Sequence, residues 1–95
     1  MSVEFSPVAE RDLEEIGDYI AHDNSHRALT FILEIRERCQ KIEKTPNAAP
    51  LREDILSGVR VLKHNNYLIF YSILKSKIRI ERILHGARDI EALLL

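Results

Sequence analysis

The stretch that decides the fold is Val59-Arg60-Val61-Leu62-Lys63-His64, Asn65-Asn66, Tyr67-Leu68-Ile69-Phe70-Tyr71-Ser72-Ile73-Leu74, Lys75-Ser76-Lys77 and Ile78-Arg79-Ile80-Glu81-Arg82-Ile83-Leu84-His85. Its three long runs are rich in β-branched and aromatic residues, and the two short breaks are polar, which predicts a three-stranded antiparallel meander. The middle run, from Tyr67 to Leu74, is apolar at both alternating sets of positions, as suits a central strand covered on each face. Strict alternation along the last run puts Ile78, Ile80, Arg82 and Leu84 on one face and Arg79, Glu81, Ile83 and His85 on the other. An arginine among aliphatics must find a carboxylate, a carbonyl or a ligand. Two readings of Arg82 follow: a staple to Asp54 or Glu53 in the preceding loop, or a cation lining a recognition surface.

Upstream of the meander the period changes from two to between three and four. Ser6-Pro7 offers an N-cap followed by proline at the first helical position, and Ala9, Leu13, Ile16, Gly17, Ile20 and Ala21 draw one helical face. Asp23-Asn24-Ser25 is a turn with cap candidates, after which Ala28, Phe31, Ile32, Ile35, Cys39 and Ile42 draw a second stripe. The pair is an αα-hairpin. Val3 and Phe5 before it suit a short edge strand, and Thr45-Pro46 through Gly58 form an irregular connection to the sheet. Beyond Gly86, residues 87–94 have the propensity for a short final helix. The resulting order β-α-α-β-β-β-α is an α+β arrangement, and 95 residues suffice for a single domain, 1–95, with one core.

Composition narrows the function classes. Apolar residues at 45% and charged residues at 31% are ordinary for a folding chain. No secretory n-region and no apolar run near the ~20 residues of a membrane span are present, so a cytoplasmic protein is expected. One cysteine, Cys39, allows no internal disulfide, and the four histidines show no His-x-x-x-His spacing with a glutamate. Neither a metal site nor a cofactor is expected. Net charge is −1, but six Lys/Arg face ten acids in residues 1–50 and eight face five in residues 51–95. The basic half could meet nucleic acid or an acidic protein surface, while the small total disfavours strong non-specific DNA binding.

Candidate binding residues lie in that basic half. His85-Gly86-Ala87-Arg88-Asp89 sits at a strand-to-helix turn where polar groups are offered from a rigid edge. His85 could exchange a proton near neutrality and Arg88 could hold a phosphate, though Arg88-Asp89 could equally be a helix start. Arg52, Arg60, Lys63 and His64 add positive character, and Tyr67 and Tyr71 are either stacking rings or core packing. Cys39 reads as a small core residue.

Ser6-Pro7, Asp12-Leu13, Tyr19-Ile20-Ala21, Asp23-Asn24, Arg52, Gly58, Arg60, Tyr67-Leu68-Ile69-Phe70-Tyr71 and Arg82-Ile83-Leu84-His85-Gly86-Ala87-Arg88-Asp89 together resemble the ParE toxins of the ParE/RelE toxin–antitoxin superfamily. The resemblance implies the RelE/ParE-like fold, a ParD-like ribbon-helix-helix antitoxin as partner, DNA contacted only through that antitoxin, and DNA gyrase as target. The superfamily also contains ribosome-dependent mRNA endonucleases. Those carry basic residues on the strand before the Tyr-x-x-x-Tyr segment, an arginine after its first tyrosine, and a tyrosine near the C-terminus. Here Val59, Val61, Leu68 and Leu93-Leu94-Leu95 stand in the comparable places, and Arg88 alone clearly remains. The resemblance therefore implies a gyrase inhibitor with no catalytic residue of its own. A RelE-like nuclease is the alternative, and an inactive antitoxin-binding corepressor is a third reading. Arg52, Arg60, His64, Tyr67, Tyr71, Arg82, His85 and Arg88 are the target- or antitoxin-binding candidates.

Overall fold

The computed structural model describes residues 1–89, and it shows why each break in pattern falls where it does. Strand β1 (Ser2–Phe5) leads into helix α1 (Pro7–Ala21) through Ser6, whose side chain accepts from Ala9 N while Pro7 occupies the first helical turn. Helix α2 (Ser25–Gln40) is capped in the same way by Asn24, whose Oδ1 accepts from Arg27 N at 3.0 Å. A single turn of 3-10 helix, Lys41–Lys44, extends α2 and delivers Ile42 to the core. Strands β2 (Arg60–His64), β3 (Tyr67–Leu74) and β4 (Lys77–His85) then form the expected meander.

The sheet has four strands in the order β1-β4-β3-β2. β1 returns to pair parallel with β4, matching Val3 with Ile78 and Phe5 with Ile80. The N-terminal edge strand thus borders the last strand of the meander, and β2 is the opposite edge. Both faces of β3 are covered, as its apolar sequence requires. Tyr67, Ile69 and Tyr71 join Leu13, Ile16, Phe31 and Ile35 in the main core under the helical hairpin. Phe70 turns the other way, into a second cluster with Val59, Val61 and Leu84, partly roofed by Ile55 of the connecting loop.

The strict alternation expected along β4 does not hold. Phe70 pairs with Arg82 but Tyr71 pairs with Ile80, so Glu81 is an extra residue in a β-bulge. The bulge shifts the parity: Ile78 and Ile80 face the helices before it, whereas Ile83 does so after it and Leu84 faces away. Arg82 consequently does not share a face with Ile78 and Ile80. The bulge is also where α1 is fastened to the sheet. The Ser6 hydroxyl donates to Glu81 O at 2.9 Å and accepts from Ala9 N at 3.0 Å, and Ser6 N donates to Ile80 O. Ser6→Ala removes a helix cap and a strand tether together, so we expect a loss of about 1–2 kcal/mol in urea denaturation. A change within about 0.5 kcal/mol would mean that water replaces both bonds.

Residues 86–89 form a turn, and the remainder of the helix expected over residues 87–94 lies outside the described residues. Among the described residues no helix is long and apolar enough to cross a membrane.

Candidate functional site

The end of β4 is organised by its own motif. Asp89 accepts from His85 N at 2.9 Å and donates its backbone N–H to His85 O, which closes the turn. The His85 ring bends back so that Nδ1 faces the N–H groups of Ala87 and Arg88, each at 3.2 Å. With Nδ1 accepting, the ring proton of the neutral imidazole resides on Nε2. Gly86 N bonds Asn66 O at 2.9 Å, so this turn is clamped to the β2–β3 hairpin turn, where Asn65 takes φ 52°. Asparagine tolerates that left-handed conformation better than most side chains. His85 and Asp89 thus serve the backbone, and Arg88 is the group that the turn presents outward.

Around this turn the structure assembles a small aromatic and cationic surface. Tyr67 is buried at the start of β3, edge-on to His85 with centroids 5.2 Å apart and tilted against Phe31 at 5.5 Å. Burial pushes the Tyr67 hydroxyl above its ordinary pKa, against an opposing pull from Arg88. The Arg88 guanidinium lies 4.6 Å from the ring centre of Tyr19, and that of Arg27 lies 5.0 Å from the ring centre of Phe31. His64, the cross-strand partner of Tyr67, also packs against Phe31, with ring centroids 5.7 Å apart. Its Nε2 is buried with no hydrogen-bond partner, because the nearest carboxylate oxygen, on Glu34, is 3.9 Å away. Of the sequence candidates, Tyr67, His85, Arg88 and His64 therefore gather at one end of the molecule.

The others do not join them. Arg82 holds neither Asp54 nor Glu53; its Nε and Nη2 grip the carboxylate of Asp12 on α1, at 2.9 and 3.1 Å. Asp54 instead pairs with Arg52 on the exposed loop, and Glu53 accepts from Gly58 N. The staple expected for Arg82 fails because the bulge and the parallel pairing of β1 bring the edge of β4 against α1, away from that loop. Arg60 donates to Ala49 O at 2.6 Å and to Asn47 O at 3.2 Å, while the hydroxyl of Tyr71 donates to Pro46 O at 2.8 Å. These two side chains hold the connection after α2 against the sheet. Burial raises the Tyr71 pKa, with Arg60 opposing it.

Two open clefts flank Arg88. One, of about 510 Å³, mixes Asp12, Glu15 and Asp89 with Arg82. The other, of about 420 Å³, is lined by Arg27, Phe31, Asn65, Asn66, Tyr67 and His85 with Tyr19 and Arg88, and has no carboxylate among these residues. Tyr19, Arg27, Phe31 and Asp12 belong to this end of the molecule although the sequence did not mark them as binding residues: Phe31 reads as part of an apolar stripe, and Asp12 and Tyr19 enter only through the family resemblance. For Tyr19 a signal existed: it is a large ring outside the apolar stripe of α1, and it is 63% exposed.

The fold is thus a helical hairpin laid on one face of a mixed four-stranded sheet, with Arg88 presented from the turn after its last strand. The family model "ParE toxin of type II toxin-antitoxin system, parDE" matches residues 3–90, and the chain belongs to that family. It is similar to a solved structure of the chromosomal ParDE toxin–antitoxin system from P. aeruginosa, with 25% identity and a TM-score of 0.78 over 90% of this chain and 95% of that one. It also shares its fold with the RelBE2 toxin–antitoxin complex from Mycobacterium tuberculosis, at 22% identity and a TM-score of 0.65 over 88% of each chain. No curated protein sequence is significantly similar to it. The protein is thus a ParE-family toxin of the type II toxin–antitoxin class.

Proposed function

We propose that this toxin inhibits DNA gyrase, stalling its cleavage complexes and so blocking replication, and performs no covalent chemistry itself. The observation that supports this most is the second apolar cluster. Val59 and Val61 are buried there with Phe70 and Leu84, and Leu68 packs against them. RelE-like nucleases carry cations at the comparable places. Cleaving RNA through its 2′-hydroxyl needs a base, an acid and cations around one phosphate. A buried apolar patch supplies none of them. The test is to incubate purified toxin with gyrase, relaxed plasmid and ATP, beside a translating-ribosome reaction scored for mRNA cuts. Lost supercoiling with trapped DNA breaks and intact mRNA is the expected result; cut mRNA with unaffected gyrase would overturn the reading.

A ParD-like antitoxin is the proposed partner, in keeping with the family and with the ParDE system to which the chain is similar. The hairpin offers it a place. Leu29 and Leu33 are 63% and 58% exposed one turn apart on α2. Beside them, Leu13, Gly17 and Ile32 line a groove between the helices, flanked by the Glu10–Arg36 pair. An amphipathic helix fits such a groove, and the β1 and β2 edges could take a strand. We expect Leu33→Glu to weaken antitoxin binding at least about tenfold by calorimetry without unfolding the toxin. Unchanged affinity would place the antitoxin elsewhere.

A further inference from the structure

We propose that the cleft between Tyr19, Arg27, Arg88 and the Asn65-Asn66 turn is a binding site for a nucleoside phosphate. This inference stands apart from the gyrase reading and survives its failure.

The cleft is electrostatically one-sided. Among the described residues Arg27, Arg88 and His85 line it and no carboxylate does, although Glu34 pairs with Arg27 from outside the lining and the chain as a whole carries more acids than bases. Both guanidiniums lie over rings of the same cleft, Arg27 on Phe31 and Arg88 on Tyr19. Stacking occupies the face of a guanidinium rather than its N–H edge, so the donors that are not already bonded remain available to an oxyanion. Arg27 gives three of its five N–H donors to Glu34 and Thr30, which leaves two. Among the described residues Arg88 takes part in no ion pair. The proton on Nε2 of His85, fixed there by the two N–H groups facing Nδ1, adds a third kind of donor.

Three features select a nucleoside phosphate over a bare anion. The cleft encloses about 420 Å³, several times the size of a phosphate group and within the range of small-ligand sites. Tyr19 is 63% exposed with Arg88 on its ring, so the open part of that ring can take a base in stacking contact. Asn65 and Asn66 bring exposed side-chain amides to the rim, each able both to donate to and to accept from a base edge. A carboxylate side chain of a protein partner could meet the arginines but would leave the ring and the amides without a role.

The ligand could be a free nucleotide or one nucleotide unit of a single strand, and the test separates them. Purified toxin is titrated calorimetrically with adenosine 5′-monophosphate, adenosine, inorganic phosphate, a ten-residue single-stranded DNA and a glutamate-rich peptide. We expect saturable binding of the mononucleotide or the oligonucleotide, weaker binding of phosphate, and none of adenosine. Preference for the mononucleotide assigns the site to a free nucleotide, and preference for the oligonucleotide assigns it to a strand. Arg88→Gln and Tyr19→Leu, both surface changes, should each weaken binding about tenfold or more, whereas Arg38→Gln on the far part of α2 should not. Amide and Arg Nε shifts in the unmodified protein should move at residues 65, 66 and 88, which keeps the test valid should a variant misfold. No binding of any nucleotide at millimolar concentration, equal binding by the Arg88 and Arg38 variants, or binding of the acidic peptide alone would overturn the proposal.

Discussion

Replacing Asp12 with alanine should cost about 2–3 kcal/mol of stability, a large share of the roughly 5–15 kcal/mol that holds a domain of this size together. Asp12 is 7% exposed, and its two oxygens accept three hydrogen bonds: from Arg82 Nε, from Arg82 Nη2, and from Ile83 N at 3.0 Å. The last of these explains why an acid belongs there. β1 ends at Phe5, opposite Ile80, so β4 runs on past its neighbour with an unpaired edge. The carboxylate on α1 takes the place of the missing strand. Alanine would leave the Ile83 N–H buried without a partner and the arginine without its counter-ion. The full penalty of a severed buried pair does not apply, because the Arg82 side chain is 36% exposed and can turn to water. Asp12→Asn, which keeps one acceptor, should lose about half as much. Urea midpoints for the two variants check this, and a shift below about 0.5 kcal/mol for the alanine variant would show that the edge is held by other means.

Stability should also fall steeply above pH 9, and Cys39 should be the chief cause. Its side chain is fully buried on the inner face of α2, and burial pushes the thiol from 9.0 up to about 12, more than Arg36 and Arg38 pull it back. In that window the unfolded chain releases the proton and the folded chain retains it, so unfolding is favoured as pH rises. The stabilisation from the neutral thiol is complete below pH 9 and drains away at about 1.4 kcal/mol per pH unit above it. Tyr67 and Tyr71, both raised by burial, add to the loss with the same sign at higher pH. Cys39→Ala should cost about 1 kcal/mol at pH 7, through the small cavity it leaves, and should flatten the decline between pH 9 and 10. Urea midpoints at half-unit steps from pH 7 to 10.5 give both slopes. Parallel slopes for the variant and the parent protein would rule out the cysteine as the cause. The same burial predicts that Cys39 reacts with thiol reagents only as fast as the protein unfolds.

The two apolar clusters bear directly on function. One fold serves toxins of different action, so the activity must reside in what covers the sheet. Here the face away from the hairpin carries an apolar cluster that includes Phe70 and Leu84, and exposed polar groups lie just beyond the end of β4, around Arg88. Substitutions in the two regions should therefore separate folding from the ligand binding proposed for the Arg88 cleft.

Local pattern was enough for much of the architecture. The change of period from two to near three and a half, the caps Ser6 and Asn24, and the doubly apolar run from Tyr67 to Leu74 are written in neighbouring residues, so the hairpin, the meander and the two-sided burial of β3 were legible in the sequence. The resemblance to ParE toxins rested on similar short-range signatures, from Ser6-Pro7 to Leu84-His85-Gly86-Ala87-Arg88-Asp89. What the sequence alone did not determine was anything that depends on contacts across most of the chain. The bulge at Glu81 adds one residue and reverses the facing of everything after it, which no alternation rule can anticipate. The pairing of β1 with β4 joins residues some 75 positions apart and, with the bulge, brings Asp12 to Arg82. Tyr19 and Arg27 stand on different helices and meet Arg88 only because the hairpin is laid over the end of the sheet. Side-chain periodicity is a property of a segment, whereas a charge pair or a binding cleft is a property of how segments are stacked, and stacking was settled by burying two apolar clusters at once.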